Sequence, residues 1–142
     1  MRYDSFCSED TFHIAKELGE RAERGTVFCL IGDLGAGKTL FSQGFAKGLG
    51  VEDHVNSPTF TIVQEYHDGR IPFYHFDVYR IEDSEEMEEI GFSEFVYGDG
   101  VCLIEWADLI SEILPERYTR VAIQKDLNKG LDYRSIIIED IT

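Results

Sequence analysis

The stretch Val27-Phe28-Cys29-Leu30-Ile31-Gly32-Asp33-Leu34-Gly35-Ala36-Gly37-Lys38-Thr39 places the pattern G-x-x-x-x-G-K-T directly after a run of apolar residues. The apolar run predicts a buried strand, and residues 38–49 repeat apolar side chains at helical spacing. A strand, a glycine-rich loop and a helix in this order are typical of a phosphate-binding loop. The N–H groups of such a loop, the start of its helix and the lysine ammonium all attract phosphate oxygens. We therefore predict a nucleotide site here.

The residues of this loop are the first candidate nucleotide contacts. They are Gly32, Asp33, Leu34, Gly35, Ala36, Gly37, Lys38, Thr39 and Leu40. We expect the Lys38 ammonium to reach the outer phosphates and to act in catalysis, and the Thr39 hydroxyl to bind Mg²⁺.

The overall charge limits the classes of partner. The 142 residues include 13 basic and 28 acidic side chains, for a net charge of −15. This length predicts a single domain spanning residues 1–142. A field of this sign repels phosphate backbones and anionic lipids, so free-standing binding to nucleic acid or membrane is disfavoured.

Cysteine usage and hydropathy indicate the compartment. Cys29 and Cys102 lie in apolar runs, where a small buried hydrophobe is the expected role, and Cys7 lies outside them. The N-terminus has no apolar secretory core, and no run approaches the roughly 18 apolar residues of a membrane span. We expect a cytoplasmic protein with no membrane partner.

Apolar periodicity and turn signals predict the remaining elements. Helices are expected at about residues 8–23, in a short acidic stretch after residue 82, around residues 92–96 and at about 107–113. Strands are expected at 2–7, 61–66, 71–78, 101–104, 117–125 and 135–141, with hairpins joining the second to the third and the last two. The pattern predicts an α/β class: a three-layer P-loop NTPase-like fold with a mixed, mainly parallel central sheet and added antiparallel strands.

Two acidic residues compete for the metal site, because each follows an apolar strand. Asp77 ends the run 73–76 and Glu105 ends the run 101–104. Pro72 cannot donate a ladder hydrogen bond, which favours the second run as the central strand and Glu105 as the Mg²⁺ ligand. Asp77 is either a second catalytic and metal contact or structural, and His75 is expected to pair with it, since residues two apart share a face of a strand.

Three further side chains have both a functional and a structural interpretation. Thr59 lies in the loop from which threonines of other P-loop proteins reach Mg²⁺ or the terminal phosphate, although a threonine after Pro58 also suits an ordinary turn. Trp106 fits core packing better than base stacking on the sequence alone. Arg80 either holds phosphate or is an exposed or salt-bridged arginine.

The absence of two sequence motifs favours ATP as the nucleotide and hydrolysis as the reaction. GTPases read guanine with N-K-x-D, but Asn128-Lys129-Gly130-Leu131 has leucine in the last position, so ATP is favoured. The arginines form no motif of the kind that marks a kinase lid. An ATPase is the leading hypothesis; a small-molecule or protein kinase and a nucleotide-dependent binding module remain alternatives.

Four elements in order resemble one family closely, the bacterial TsaE (YjeE) proteins. They are Gly32-Asp33-Leu34-Gly35-Ala36-Gly37-Lys38-Thr39, Ser57-Pro58-Thr59-Phe60, His75-Phe76-Asp77-Val78-Tyr79-Arg80 and Leu103-Ile104-Glu105-Trp106. The resemblance covers about residues 32–115.

The resemblance implies a small ATPase of tRNA threonylcarbamoyladenosine synthesis that works in a complex with TsaB and TsaD proteins. It implies that Lys38 and Thr39 serve phosphate and Mg²⁺, that Thr59 belongs to a switch loop, and that Asp77 and Glu105 form an acidic site beside Trp106. Contact with tRNA would then be indirect, through the partners, which agrees with the acidic charge.

Overall fold

The computed structural model describes residues 1–32, 35–56, 58 and 62–142 of the chain. Within them lies one sheet of seven strands. The strands are β1 (Arg2–Ser5), β2 (Val27–Ile31), β3 (Val63–Tyr66), β4 (Phe73–Asp77), β5 (Val101–Glu105), β6 (Tyr118–Lys125) and β7 (Arg134–Ile141). The helices are α1 (Ser8–Arg21), α2 (Lys38–Gly48), α3 (Glu85–Glu89) and α4 (Phe92–Val96), with 3₁₀ segments at Ala107–Ile113 and Leu127–Lys129.

The strand order is β1-β7-β6-β2-β5-β4-β3. The four central strands, β6, β2, β5 and β4, run parallel. The outer strands β3, β7 and β1 pair antiparallel with their neighbours. This arrangement confirms the predicted α/β class, the mixed sheet with a parallel centre and both hairpins.

Helices cover both faces of the sheet, which makes three layers. On β2, Phe28 and Leu30 belong to a core cluster shared with α1 and α2. The alternate residues Val27 and Cys29 belong to a second cluster on the opposite face, shared with α3 and α4. A parallel strand that is buried on both faces needs apolar residues at every position, and this explains the continuous run before the glycine-rich loop.

Helix α2 packs against α1 at a backbone distance that only glycine allows. A Cβ on Gly48 would lie 2.1 Å from the carbonyl oxygen of Lys16, and one on Gly19 would lie 2.2 Å from that of Phe45. Gly48 is therefore both the last residue of α2 and part of this contact. Gly50, at a φ of 85°, begins the turn that leaves the helix.

Some element boundaries differ from those expected. Helix α1 ends at Arg21 instead of Glu23, and it begins at Ser8 with Cys7 as the N-cap. The 107–113 segment is 3₁₀ and is interrupted at Ile110, where φ is −124°. No helix in the described part of the chain combines the length and apolar character that a membrane span requires.

Candidate nucleotide site

The glycine-rich loop connects β2 to α2 at the carboxyl edge of the parallel strands. A Cβ on Gly32 would lie 2.8 Å from the carbonyl oxygen of Ile123 on β6, so this position requires glycine for space. Gly35 and Gly37 have φ values of 78° and 106°, which favour glycine for conformation. Asp33 and Leu34 lie outside the described residues. Leu40, in the first turn of α2, is partly buried. Phosphate binding by this loop stays a prediction.

Lys38 is the first residue of α2 and is only 7% exposed. Its Nζ donates a hydrogen bond to the carbonyl oxygen of Gly32 at 2.5 Å. The same ammonium lies 4.0 Å from the centre of the Trp106 ring, within the range of a cation–π interaction. The positive charge is therefore held over the loop, between the backbone and an aromatic face.

Asp77 and Glu105 are register partners at the carboxyl ends of β4 and β5. Glu105 is also the register partner of Leu30 on β2, one residue before that strand ends. Parallel strands that end in the same row bring their following residues to one edge of the sheet. The structure thus brings both candidate acids to the edge where the glycine-rich loop begins.

The run 101–104 is a central strand, as predicted, but Pro72 does not place the run 73–77 at an edge of the sheet. Strand β4 is an interior strand with β3 and β5 on its two sides. Pro72 precedes the strand, and its carbonyl accepts a hydrogen bond from the N–H of Val101 at 2.8 Å. Burial distinguishes the two acids instead, since Glu105 is 2% exposed and Asp77 is partly exposed.

His75 pairs with Glu105 and not, as expected, with Asp77. Its Nε2 lies 2.5 Å from Oε2 of Glu105, and both side chains are almost fully buried. Nδ1 of His75 is buried without a hydrogen-bond partner. The ring stacks on Phe73, two residues earlier on β4, with an interplanar angle of 11°. These contacts hold the imidazole in place, and the imidazole in turn orients the Glu105 carboxylate.

Burial raises the pKa of Asp77, and the negative charge of Glu105 raises it further. A hydrogen bond from the N–H of Tyr79 at 3.1 Å, together with the charges of His75 and Lys38, opposes part of that shift. Two carboxylates close enough to influence each other in a half-buried site favour a bound cation.

The donor set fits Mg²⁺. Two carboxylates and the hydroxyl of Thr39, an exposed residue, are hard oxygen ligands, which this ion prefers. The structure shows no cluster of three or more His, Cys, Asp or Glu side chains suited to a metal in the described ranges. That is compatible with Mg²⁺, which commonly takes one or two carboxylates and completes its shell with phosphate oxygens and water.

Trp106 is in contact with the loop lysine, in addition to packing on the core. It has a φ of 64°, and no other non-glycine residue described has a positive φ. Its N–H donates to the carbonyl of Leu30 at 3.3 Å, and its ring lies 4.7 Å from that of Tyr79. A left-handed conformation is costly for an aromatic residue and is more frequent at functional sites than elsewhere. Base stacking by Trp106 stays a prediction.

Two further candidate residues from the sequence are Thr59 and Arg80. Thr59 lies outside the described residues, so its proximity to the site stays a prediction. Arg80 is exposed.

Arg134 was not predicted from the sequence, but it donates hydrogen bonds to the carbonyls of Gly35 and Ala36. No local motif marks it, because its partners lie about a hundred residues earlier in the chain.

The sheet order, the loop between β2 and α2 and the adjacent acids define an α/β protein of the P-loop class. The family model "Threonylcarbamoyl adenosine biosynthesis protein TsaE" matches residues 7–135, and the chain therefore belongs to the TsaE family. This confirms the resemblance that the four sequence elements indicate.

Individual relatives agree with this assignment. A Bacillus subtilis protein named tRNA threonylcarbamoyladenosine biosynthesis protein TsaE is 54% identical over 136 residues, which are 96% of this chain and 83% of that protein. The protein of the same name from Treponema pallidum is 43% identical over 124 residues, or 87% of this chain and 91% of that protein. The crystal structure of YdiB from Bacillus subtilis matches with a TM-score of 0.84 at 42% identity, covering 99% of this chain and 84% of that chain.

Proposed function

We propose that this protein binds MgATP at the glycine-rich loop and hydrolyses it in support of tRNA threonylcarbamoyladenosine biosynthesis. The observation that carries the proposal is the position of the Asp77–Glu105 pair at the sheet edge that leads into the loop of Lys38. The pathway is proposed from membership of the TsaE family. ATP, and not GTP, is proposed because the chain lacks a complete N-K-x-D element.

Each side chain of the site has a proposed task. The loop amides and the first turn of α2 bind the phosphates, and Lys38 moves from the Gly32 carbonyl to the outer phosphate oxygens. Thr39, Glu105 and Asp77 hold Mg²⁺, which when bound supplies charge stabilisation for phosphoryl transfer. Thr59 is proposed to approach the terminal phosphate.

In the proposed reaction a water molecule attacks the γ-phosphate, the bond to the β-phosphate oxygen breaks, and ADP and inorganic phosphate leave. Two carboxylates adjacent to the phosphates can take up or orient the proton of that water. His75 maintains the orientation of the more buried carboxylate, that of Glu105.

We propose that hydrolysis depends on TsaB- and TsaD-type partners in the cytoplasm. The net charge of −15 disfavours direct binding of tRNA, so the partners would hold the RNA. A charge-stabilising arginine supplied in trans accelerates other P-loop enzymes by about 10³–10⁵, so slow turnover of the isolated chain is expected.

Reconstitution tests the function. ATP hydrolysis and repeated rounds of tRNA modification are measured with and without the two partners, for the wild type, Lys38→Ala and Glu105→Ala. Both variants should lose hydrolysis. Lys47→Ala is the matched control, because Lys47 is an exposed lysine in the last turn of the same helix. Normal hydrolysis by Glu105→Ala in the complex would contradict the assignment of that acid.

The same assay separates the alternatives. With γ-labelled ATP, label in inorganic phosphate supports the ATPase, and label in a metabolite or protein supports a kinase. Modification that survives Glu105→Ala but fails in Lys38→Ala would indicate a nucleotide-dependent binding module. Absence of any stimulation by the partners would overturn the pathway assignment.

A further inference from the structure

Arg134, the first residue of β7, contacts the glycine-rich loop from outside. Its Nε donates to the carbonyl oxygen of Ala36 at 2.9 Å, and its Nη2 donates to that of Gly35 at 3.4 Å. Its Nη1 donates at 2.8 Å to the carbonyl oxygens of Leu131 and Tyr133. One guanidinium thus joins the turn before β7 to two successive peptide groups of the loop.

Peptide geometry makes this contact relevant to the phosphate site. In a trans peptide the C=O and the N–H point in opposite directions, and no cis peptide bond occurs in the described residues. The C=O of Gly35 shares its peptide group with the N–H of Ala36, and that of Ala36 shares its group with the N–H of Gly37. A donor that holds both carbonyls on the outside therefore directs both N–H groups toward the opposite side, where a phosphate-binding loop presents its amides.

The charge of Arg134 also favours phosphate binding by the loop amides. All of its hydrogen bonds in the described part of the chain end on carbonyl oxygens, and no ion pair found there includes it. A cation bound to a carbonyl polarises the peptide group and makes its N–H a stronger donor. Lys125, the register partner of Arg134 on β6, adds a second cation, with Nζ 3.2 Å from the position of a Cβ on Gly35.

We propose that Arg134 is a positioning residue that presets the amides of Ala36 and Gly37 for the phosphates of the nucleotide. This inference rests on the nucleotide binding proposed above. Arg134 makes these contacts with the backbone of the chain itself, so the loop avoids part of the entropic cost of ordering on binding.

Calorimetry of MgATP binding tests this role with three variants of the full chain. Arg134→Met removes the donors, and we expect the Kd to rise about tenfold. The free energy of a hydrogen bond to a charged group corresponds to a change in affinity of about this size. Arg134→Lys keeps the charge but cannot bind two carbonyls as a planar fork, so an intermediate loss is expected. Arg120→Met is the matched control, since Arg120 pairs with Glu139 at 2.8 Å on the neighbouring strand.

A second readout distinguishes positioning from general stability. Thermal unfolding without nucleotide measures the fold, and hydrogen exchange at the amides of Ala36 and Gly37 measures the loop. We expect MgADP to protect both amides in the wild type and to protect them less in Arg134→Met. A lower unfolding temperature with an unchanged Kd would mean a purely structural role and would overturn the proposal.

The outcomes keep the two proposals apart. Wild-type affinity in folded Arg134→Met would overturn the positioning role and leave the proposed nucleotide function intact. If Arg134→Met fails to fold, Arg134→Lys tests the proposal in its place. Wild-type affinity in Arg134→Lys would overturn the role of the planar guanidinium. Failure of the wild type to bind MgATP would overturn the proposed function itself.

Discussion

His75 and Glu105 form a buried pair across neighbouring parallel strands, with 2.5 Å between Nε2 and Oε2. The side chains are 0% and 3% exposed, so solvent does not replace the contact when it breaks. Loss of one partner leaves a buried polar group with a large desolvation cost. The pair therefore links the stability of the sheet to the orientation of a proposed catalytic carboxylate.

His75→Phe should be destabilising by about 2–4 kcal/mol and should lower hydrolysis in the partner complex by about 10–100-fold. Phenylalanine keeps a planar ring beside Phe73 but cannot donate to Glu105. Urea unfolding and the ATPase assay measure the two effects. His75→Gln, which retains an N–H donor, should restore part of both.

His67→Phe is the matched control for this prediction. His67 also pairs with a glutamate, Glu65, at 3.2 Å, but the side chains are 61% and 48% exposed. Exposed ion pairs contribute little, so a change below about 0.5 kcal/mol is expected. Equal losses in the two histidine variants would contradict the importance of burial.

Asp77→Asn should stabilise the nucleotide-free protein at neutral pH. The pKa of Asp77 is raised in the folded state, first by burial. Between its ordinary pKa of about 4 and the raised value, the folded chain holds a proton that the unfolded chain has released. Stability therefore falls as pH rises through this window, and asparagine removes that loss. We expect a gain of about 1–2 °C in melting temperature at pH 7, limited by solvent screening, and none well below pH 4.

Asp68→Asn is the control for this prediction, because its effect on stability at pH 7 should have the opposite sign. Hydrogen bonds from the N–H groups of Glu52 and Asp53 lower the pKa of Asp68. That carboxylate stabilises the fold above its ordinary pKa and loses this effect as pH falls through the lowered value. Its replacement should destabilise at pH 7. A loss of stability at pH 7 in Asp77→Asn would contradict the electrostatic interpretation of the acid pair.

Trp106 should report nucleotide binding by its fluorescence. It is the one tryptophan in the chain, and the Lys38 ammonium lies 4.0 Å from its ring centre. Phosphate binding should draw that ammonium from the Gly32 carbonyl toward the outer phosphate oxygens and change the environment of the indole. We expect a saturable change with MgATP and none with adenosine. An equal response in Lys38→Ala would show that the signal has another origin.

Cys29 and Cys102 should be inert toward thiol reagents in the folded protein. Burial raises the pKa of each to about 12, whereas Cys7 is exposed. Ellman's reagent should therefore modify one of the 3 cysteines in native protein and all of them in denaturant. Cys7→Ser should abolish the native reaction. Rapid modification of a second thiol before unfolding would contradict the structure of the core.

Local signals accounted for most of the fold. The apolar run before Gly32, the helical spacing after Lys38 and the turn signal between the runs 61–66 and 71–78 depend on residues close together in the chain. The structure confirms the elements that they predict. Pro72 correctly favoured the run 101–104 as a central strand, but it did not place the run 73–77 at an edge, because a proline before a strand restricts its own N–H and not the strand's neighbours.

The candidate site was predictable only in part. Asp77 and Glu105 could be proposed as site residues because each follows an apolar run, and the structure makes them register partners at one edge of the sheet. The partner of His75 was not identifiable, since a strand places residues two apart on one face without indicating which neighbouring strand they meet. No pattern in the sequence indicated a role for Arg134.

The amino-acid sequence by itself determined the backbone of the central unit: an apolar strand, a loop in which Gly35 and Gly37 adopt positive φ, and an amphipathic helix beginning at Lys38. Tertiary structure decided which distant side chains meet there, including His75 with Glu105, Lys38 with Trp106 and Arg134 with the outer carbonyls of the loop. The physical reason is that local conformation depends on steric and hydrogen-bonding preferences of neighbouring residues. Strand order, by contrast, depends on burying both faces of the whole sheet.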